Sequence, residues 1–302
     1  DLDDEQIRSI IDEHLRTIPE DTEKEIAFFG GSFTAIDRGY MIELLSSAQE
    51  FIGENGFKGI RISTRPDAVD GEICDILEKY HVTAVELGAQ STNDKVLAMN
   101  RRGHTREDIF RSARLLKERG FELGLQMMTG LYGSNDEDSI GTARDIISLS
   151  PDTARIYPTV VIENTELAEL YRSGEYRPQT PEEAAVLCAK ILPMFENAGI
   201  KVIRLGLHSG GDVEGSFVAG AYHPALREMC EGHIYFDIIN RALSGKEKGK
   251  YIIYVAPREI SKASGQRRCN IEKLRELGYE CRIKESAALS ARDITLEKVN
   301  LL

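Results

Sequence analysis

Six short apolar runs, each followed by a stretch with helical periodicity, constrain the fold of this chain more than any other feature. The runs are EIAFF (25–29), GIRIS (59–63), TAVELG (83–88), ELGLQMM (122–128), TARIYPT (153–159) and KVIRLGL (201–207). Apolar strands separated by helices predict a parallel sheet that is covered by helices. Six such units over about two hundred residues indicate a complete or partial (β/α) barrel. A doubly wound open sheet has the same periodicity and is the alternative.

The segments between the apolar runs have the periodicity of amphipathic helices. In EQIRSIIDEHLRTI (5–18), the apolar side chains fall on one helical face: Ile7, Ile10, Ile11, Leu15 and Ile18. Residues 136–149 and 181–197 show the same spacing. We therefore expect helices that pack one face against the sheet.

The charge changes sign along the chain. The formal charge is -12 over 302 residues, but residues 241–302 contain 14 Lys and Arg against 8 Asp and Glu, a net of +6. The first 240 residues contain 24 against 42, a net of -18. We predict an acidic barrel domain over 1–240 and a small basic domain over 241–302, with the polar stretch 244–250 as the boundary.

Neither a membrane span nor a disulfide framework is indicated. No run approaches the roughly 18 apolar residues that a span requires, and the first residues, DLDDEQIRSI, are acidic where a signal peptide is basic and then apolar. We expect a cytoplasmic protein without a membrane partner. The five cysteines are scattered and odd in number, and neither they nor the histidines have the spacing of a compact metal site.

Polar residues follow successive predicted strands. Glycines and a serine follow the first run (30–32), and polar sequences end the next four, at 63–67, 86–91, 126–128 and 155–159. Each alone is explained by a turn or a helix cap. Together they converge on the carboxyl edge of a parallel sheet, where barrels place their active sites.

These motifs also resemble a known family. The sequences FFGGSF, ISTRPD, VELGAQS, NRRGHT, QMMTGL and RIYPTVVIENTELAELYRSGEY are similar, in order, to the radical S-adenosylmethionine (SAM) enzymes. The resemblance covers roughly residues 1–235 and is to the branch that contains the catalytic subunit of Elongator, and more distantly to the oxygen-independent coproporphyrinogen oxidases. It implies a partial (β/α) barrel that binds SAM and a [4Fe-4S] cluster and cleaves SAM reductively to a 5′-deoxyadenosyl radical.

The resemblance also implies a set of cofactor contacts. Gly30, Gly31 and Ser32 match the motif that receives the methionine amino group. Arg102 matches an arginine that contacts the methionine carboxylate, against the alternative of a solvated arginine at a helix start. The remaining matches are strand-end polar residues near the ribose or methionine, namely Gln90, Ser91 and Gln126, and Ser63, which stands where relatives often have Glu. No catalytic residue is assigned.

The CxxxCxxC loop that holds the cluster in this family has no counterpart in the sequence. Cys74 and Cys188 lie in predicted amphipathic helices and are interpreted as core residues. We expect the first barrel strand and the cluster loop to lie upstream of Asp1. A relative that has no cluster is the alternative. His104, in RGHT, is interpreted as a hydrogen-bonding residue at a helix entry.

The basic C-terminal segment resembles a K-homology (KH) RNA-binding domain. It is predicted to fold as strand (251–256), helix, turn, helix (269–278) and strand (279–285), a small α+β domain. Its turn, Gly265-Gln266-Arg267-Arg268, is similar to the KH GxxG loop, except that Arg268 replaces the second glycine. The expected phosphate contacts are Lys262, Gly265, Arg267, Arg268 and Lys273; a basic helical surface without RNA is the alternative.

Taken together, the motifs predict a radical SAM enzyme that acts on RNA, expected to be transfer RNA, with an electron donor as a further partner. A radical SAM enzyme acting on a small molecule, as in the coproporphyrinogen oxidases, and a non-catalytic RNA-binding barrel are the alternatives. The product and the oligomeric state are not specified by the sequence.

Overall fold

The computed structural model describes residues 4–19, 22–53, 56–207 and 215–299. They form two compact units, Asp1–Tyr157 with Met194–Arg204, and Pro158–Pro193 with Leu205–Leu302. The boundary predicted near residue 240 lies inside the helix Leu226–Leu243. Three side chains of that helix, Tyr235, Ile239 and Leu243, belong to the core of the C-terminal sheet. Packing around that sheet therefore begins upstream of residue 240, and the division into two domains stays a prediction.

The first half of the chain alternates strands and helices. In order, the elements are α1 (Asp4–Thr17), β1 (Glu25–Phe28), α2 (Arg38–Gln49), β2 (Gly59–Thr64), α3 (Gly71–Lys79), β3 (Val82–Gln90), α4 (Asp94–Met99), α5 (Arg106–Glu118), β4 (Glu122–Thr129), α6 (Asp136–Ser148) and β5 (Thr153–Pro158). Short 3-10 helices follow β1 and β2, at Phe33–Ala35 and Pro66–Ala68.

The second half contains β6 (Val160–Ile162), α7 (Glu166–Ser173), α8 (Pro181–Asn197), β7 (Lys201–Leu205), β8 (Phe217–Gly220), α9 (Leu226–Leu243), β9 (Gly249–Val255), α10 (Ile260–Ser264), a 3-10 turn (Gln266–Arg268), α11 (Cys269–Glu276), β10 (Tyr279–Glu285) and β11 (Ile294–Lys298). All six predicted barrel strands are confirmed, and so are the predicted helices, which correspond to α1, α6 and α8.

The six predicted strands form one parallel sheet in the order β1-β2-β3-β4-β5-β7. A doubly wound sheet reverses its strand order at a switch point. This order follows the chain without a reversal, so the doubly wound alternative is wrong. The sheet curls into a half-barrel, and the prediction of a partial (β/α) barrel is confirmed.

One face of the sheet is buried under the helices. In β2, Ile60 and Ile62 have no exposed surface, whereas the intervening Arg61 and Ser63 are half-buried. Leu123 and Leu125 of β4 are buried in the same way. Because side chains alternate across a strand, the helices cover the apolar face and leave the concave face to polar residues.

Side-chain caps begin four of the helices that follow β2, β3 and β4 along the chain. Asp70 caps α3, and Asn93 caps α4. Thr105 and Asn135 form capping boxes with Asp108 and Asp138 at the starts of α5 and α6. Each cap satisfies backbone N–H groups that have no partner within the helix, and so fixes the residue at which that helix begins.

The C-terminal sheet has the order β10-β9-β11, with β10 parallel and β11 antiparallel to β9. Helices α9, α10 and α11 contribute to its core, which contains Ile253, Ile271 and Leu274 among others. The predicted order of strand, helix, turn, helix and strand is confirmed. Strand β11 and the packing of α9 were not predicted. None of the described helices is both long and apolar enough to cross a membrane.

Asn270 should be important for the stability of this C-terminal packing. Its buried side chain donates from Nδ2 to the carbonyl oxygens of Gly232 (2.8 Å) and Ala263 (3.1 Å). Asn270→Ala leaves these buried groups without that donor and should lower the free energy of unfolding by about 1–3 kcal/mol. Denaturant unfolding measures the change, and Glu276→Ala, on an exposed position of the same helix, should stay within about 0.5 kcal/mol of the parent.

Candidate functional site

The concave face of the half-barrel is lined by polar side chains and glycines. Its residues are Arg61 and Ser63 of β2, Glu86 and Gly88 of β3, Gly124 and Gln126 of β4, and Arg155 and Tyr157 of β5. A closed (β/α) barrel usually fills this space with branched apolar side chains. Polar side chains, together with glycines that leave space beside them, instead indicate a face that receives a polar ligand.

Ion pairs across this face join neighbouring strands and also strands that are two positions apart in the sheet. Glu86 is only 4% exposed, and the Arg155 guanidinium approaches both of its oxygens, with Nη2 2.7 Å from Oε1 and Nε 2.6 Å from Oε2. Arg61 is 2.9 Å from both Glu25 and Glu122. Burial lowers the pKa of Arg61, but these two carboxylates outweigh it and the net pKa is raised. The layer links β1 to β5 and keeps the arginines charged.

Phe29 marks the exposed mouth above this layer. Its ring is 54% exposed, and the guanidinium carbon of Arg155 lies 5.2 Å from the ring centroid. Phe29 follows β1 and Arg155 belongs to β5, so the contact joins the first strand of the sheet to the fifth. It is direct evidence that the sheet is strongly curled.

Gln90 and Gln126 meet at the carboxyl edge. The Nε2 of Gln126 donates to the Oε1 of Gln90 at 3.2 Å. Gln90 is buried and adopts a left-handed conformation, with φ of 63°. A Cβ at position 88 would lie 2.7 Å from the Nε2 of Gln90, so glycine at 88 leaves the room that this side chain needs. The structure thus brings together two residues that the sequence analysis named separately.

Gly30 and Gly31 form an open stretch of backbone after β1. Both have positive φ, 108° and 89°, and a Cβ at either position would meet no atom within 4 Å. Ser32 precedes the 3-10 helix, and its side chain makes no capping bond. The exposed peptide groups of such a stretch can approach a ligand closely.

Arg102 is a half-buried cation beside a second cation. Burial, and secondly the positive charge of Arg65, lower the pKa of its guanidinium. Within the described ranges no carboxylate pairs with Arg102, whereas Arg65 is held by Asp67 at 2.5 Å. A desolvated guanidinium without a counter-ion binds an incoming carboxylate strongly.

Ser91 and Ser63 have different surroundings. The hydroxyl of Ser91 accepts from the backbone N–H of Asn93 at 3.1 Å and lies 3.4 Å from the Thr142 hydroxyl, so it ties the start of α4 to α6. Ser63 lies on the concave face in register with Glu86. Their roles toward a cofactor stay predictions.

The pairing of Glu86 with Arg155, and the part played by Arg61, escaped the sequence analysis. The signal was present, because each residue is a single charge within an otherwise apolar run: GIRIS, TAVELG and TARIYPT. A charge at an inward strand position must be paired when it is buried. The partner of each buried charge depends on the curl of the sheet, which the periodicity of a single strand does not predict.

The cysteines do not form a site for an iron-sulfur cluster. They lie on five different elements: Cys74 on α3, Cys188 on α8, Cys230 on α9, Cys269 on α11 and Cys281 on β10. Across the described ranges, no three His, Cys, Asp or Glu side chains are grouped as metal ligands. The described residues therefore do not fit a [4Fe-4S] cluster.

The predicted RNA-binding loop lies between α10 and α11. Gly265 is buried, and a Cβ there would lie 2.7 Å from the Cys269 sulfur. Arg267 and Arg268 are exposed, and both have positive φ, 52° and 64°.

The two predicted lysine contacts have neighbours of their own. The Nζ of Lys262 is 2.7 Å from Glu259, so part of its charge is already compensated. The Nζ of Lys273 is 5.5 Å from the ring centroid of Phe236. The two arginines are therefore the strongest candidates for phosphate contacts in this loop.

Comparison with known families agrees with this fold. The model of the Radical SAM superfamily matches residues 2–146, and that of the Radical_SAM C-terminal domain matches residues 151–235. The chain belongs to the radical SAM superfamily.

Within the superfamily the similarity is to Elongator proteins. The chain is 33% identical over 193 residues to tRNA uridine(34) acetyltransferase of Methanocaldococcus jannaschii, covering 57% of this chain and 36% of the relative. It is 31% identical over 210 residues to human Elongator complex protein 3, covering 60% and 37%. The solved structure of archaeal Methanocaldococcus infernus Elp3 with an N-terminal deletion (1-46) matches with a TM-score of 0.63 and 25% identity, over 77% of this chain and 62% of that chain. The chain spans little more than a third of the length of the curated relatives it matches.

Thiol chemistry tests the assignment of the cysteines to the core. Burial raises the pKa of Cys74 and that of Cys281 to about 11, and a hydrogen bond with Cys188, followed by burial, raises the pKa of Cys230. Because thiolates are the reactive form, a disulfide reagent at pH 8 should modify only the half-buried Cys269 in the native protein and all five thiols after unfolding. Cys269→Ser should abolish the native reaction; rapid modification of a second thiol would contradict the assignment.

Proposed function

We propose that this chain binds SAM at the carboxyl edge of the half-barrel, as part of an enzyme that cleaves SAM reductively to a 5′-deoxyadenosyl radical. The observation that carries the proposal is Arg102, a desolvated guanidinium with no carboxylate partner among the described residues. The ordered amides of Gln90 and Gln126 and the open backbone at Gly30 and Gly31 support it.

Each group has a matching part of the ligand. Arg102 would bind the methionine carboxylate, and carbonyl and N–H groups around Gly30, Gly31 and Ser32 would receive the amino group. Gln90 and Gln126 present amide donors and acceptors to hydroxyl groups of the ribose. When SAM is bound, the reaction that it supplies is the cleavage of one of its carbon-sulfur bonds by a single electron. In the superfamily a [4Fe-4S] cluster gives that electron, and the cysteines described above do not hold one.

Removing the guanidinium should weaken binding of the carboxylate end of SAM. A hydrogen bond to a charged group contributes about 1.5–3 kcal/mol, so Arg102→Ala should raise the Kd for SAM at least tenfold. Isothermal titration calorimetry measures the Kd. The matched ligand is 5′-methylthioadenosine, which lacks the amino acid carboxylate, and its Kd should not change in the variant. An equal loss for both ligands, or none for SAM, would contradict the role of Arg102.

We further propose that the substrate is RNA, held by the basic loop of the C-terminal unit. Exposed Arg267 and Arg268 at the start of α11 support this, since arginines at an exposed turn can bind phosphate oxygens. The name of one relative, tRNA uridine(34) acetyltransferase, favours transfer RNA within this class. A small-molecule substrate is the competing proposal, because the concave face is itself polar and open.

Charge reversal in the loop distinguishes these substrates. The double variant Arg267→Glu with Arg268→Glu should lower affinity for transfer RNA more than tenfold at low salt and reduce the slope of log K against log salt by about 1–2. The control reverses Arg282 and Lys284, two exposed cations on β10, and changes net charge equally. Filter binding should show a much smaller loss in the control. Equal losses would indicate a nonspecific charge effect, and unchanged binding in both would favour the small-molecule substrate.

A further inference from the structure

The turn that carries Gln90 is held in an unusual backbone conformation. Gln90 has a φ of 63°, and the β3-β4 pairing slips there, from Gly88 opposite Gln126 to Gln90 opposite Met127. The N–H of Ser91 bonds to the carbonyl oxygen of Ala89 at 2.7 Å. A side chain other than glycine adopts such a conformation only when its surroundings impose it. Some neighbouring group must therefore hold this turn.

The side chain of His104 contacts the backbone of this turn. Its Nε2 lies 3.0 Å from the carbonyl oxygen of Ala89, and the residue is 4% exposed. A carbonyl oxygen only accepts, so Nε2 carries the hydrogen. The Nδ1 atom has no hydrogen-bond partner among the described residues. Among the residues that the structure describes, the bond to Ala89 is thus the one hydrogen bond that this buried imidazole makes.

His104 is itself placed by local structure. Gly103 precedes it with a φ of 77°, and Thr105 follows it as the cap of α5. Arg102 and His104 therefore belong to the same loop, two residues apart. Arg102 has no carboxylate partner among the described residues, and His104 bonds to the end of β3, which carries Gln90. This couples the geometry of Gln90 to the geometry of the loop.

We propose that His104 is a positioning residue for the SAM site, which fixes the Ala89 carbonyl so that Gln90 holds its left-handed conformation and presents its amide to the ligand. This rests on the proposed function, because Gln90 is assigned to SAM there. His104 touches neither the ligand nor the reacting atoms.

Two amide substitutions separate this role from packing alone. The Nε2 of glutamine is the same number of bonds from the backbone as the Nε2 of histidine, so His104→Gln keeps a donor for Ala89. The amide of asparagine is one bond shorter, in the place of Nδ1, so His104→Asn keeps polarity but loses that donor. Both variants should fold, and thermal unfolding of each is recorded beside the binding data.

The first readout is the free protein, by NMR of the Gln90 side-chain amide. We expect His104→Asn to shift the Gln90 amide resonances and His104→Gln to leave them nearly unchanged. The control is Ser112→Ala, which removes a buried hydroxyl that bonds only within α5, to the carbonyl oxygens of Asp108 and Ile109. It should lower stability without moving the Gln90 resonances. Identical spectra for His104→Asn and the parent would overturn the proposal.

The second readout is the Kd for SAM, in a cycle with Gln90→Ala. We expect His104→Asn to weaken binding about tenfold in the parent and to cause no further loss in the Gln90→Ala background. His104→Gln should stay within about twofold of the parent. If His104→Asn weakens SAM binding by the same factor in the parent and in the Gln90→Ala variant, His104 does not act through Gln90. If the parent does not bind SAM, the proposed function fails, while the NMR comparison still decides whether His104 positions Gln90.

Discussion

The buried carboxylate of Glu86, paired with Arg155, is the interaction on which the site depends. Charge removed from water must be paired, and Glu86 is 4% exposed. The pair occupies space that apolar side chains fill in a closed barrel, and it holds β3 and β5 at one spacing. Arg155 also reaches Phe29 beyond β1. The pair therefore keeps two polar side chains on the concave face and extends, through the Phe29 contact, to the strand at the edge of the sheet.

Above that layer, small residues decide which side chains fit. Gly124 leaves room for Glu86, since a Cβ there would lie 2.8 Å from its Cγ, and Gly88 does the same for Gln90. In both cases a glycine on the concave face makes space for a larger polar neighbour. The site is consequently specified as much by missing side chains as by functional groups. An alanine at 88 would displace Gln90 without touching a ligand.

The strands, most helices and the C-terminal element order could be predicted from the sequence, because apolar periodicity reports burial directly. Polar residues at strand ends also pointed to Gln90 and Gln126, whereas Arg102 was named from the family resemblance alone. The ion pairs of Arg61 could not be predicted, since they join strands whose distance depends on curl. Nor could the left-handed turn at Gln90, because a slip in pairing leaves the alternating pattern of β3 almost unchanged. Strand order, which periodicity does not encode, was needed to exclude the doubly wound sheet.

The uneven charge of the chain has a consequence for substrate selection. Four cations of the C-terminal segment, Lys250, Lys262, Arg292 and Lys298, are paired with carboxylates, so part of its positive charge is compensated locally. The exposed arginines of the Gly265 loop would then dominate attraction for a polyanion. Phosphate contacts supply affinity and orientation but do not read sequence. If RNA is the substrate, residues other than these arginines must select the nucleotide. The concave face has hydrogen-bonding groups that can do so, namely the amides at its edge and the paired charges of its ion-pair layer.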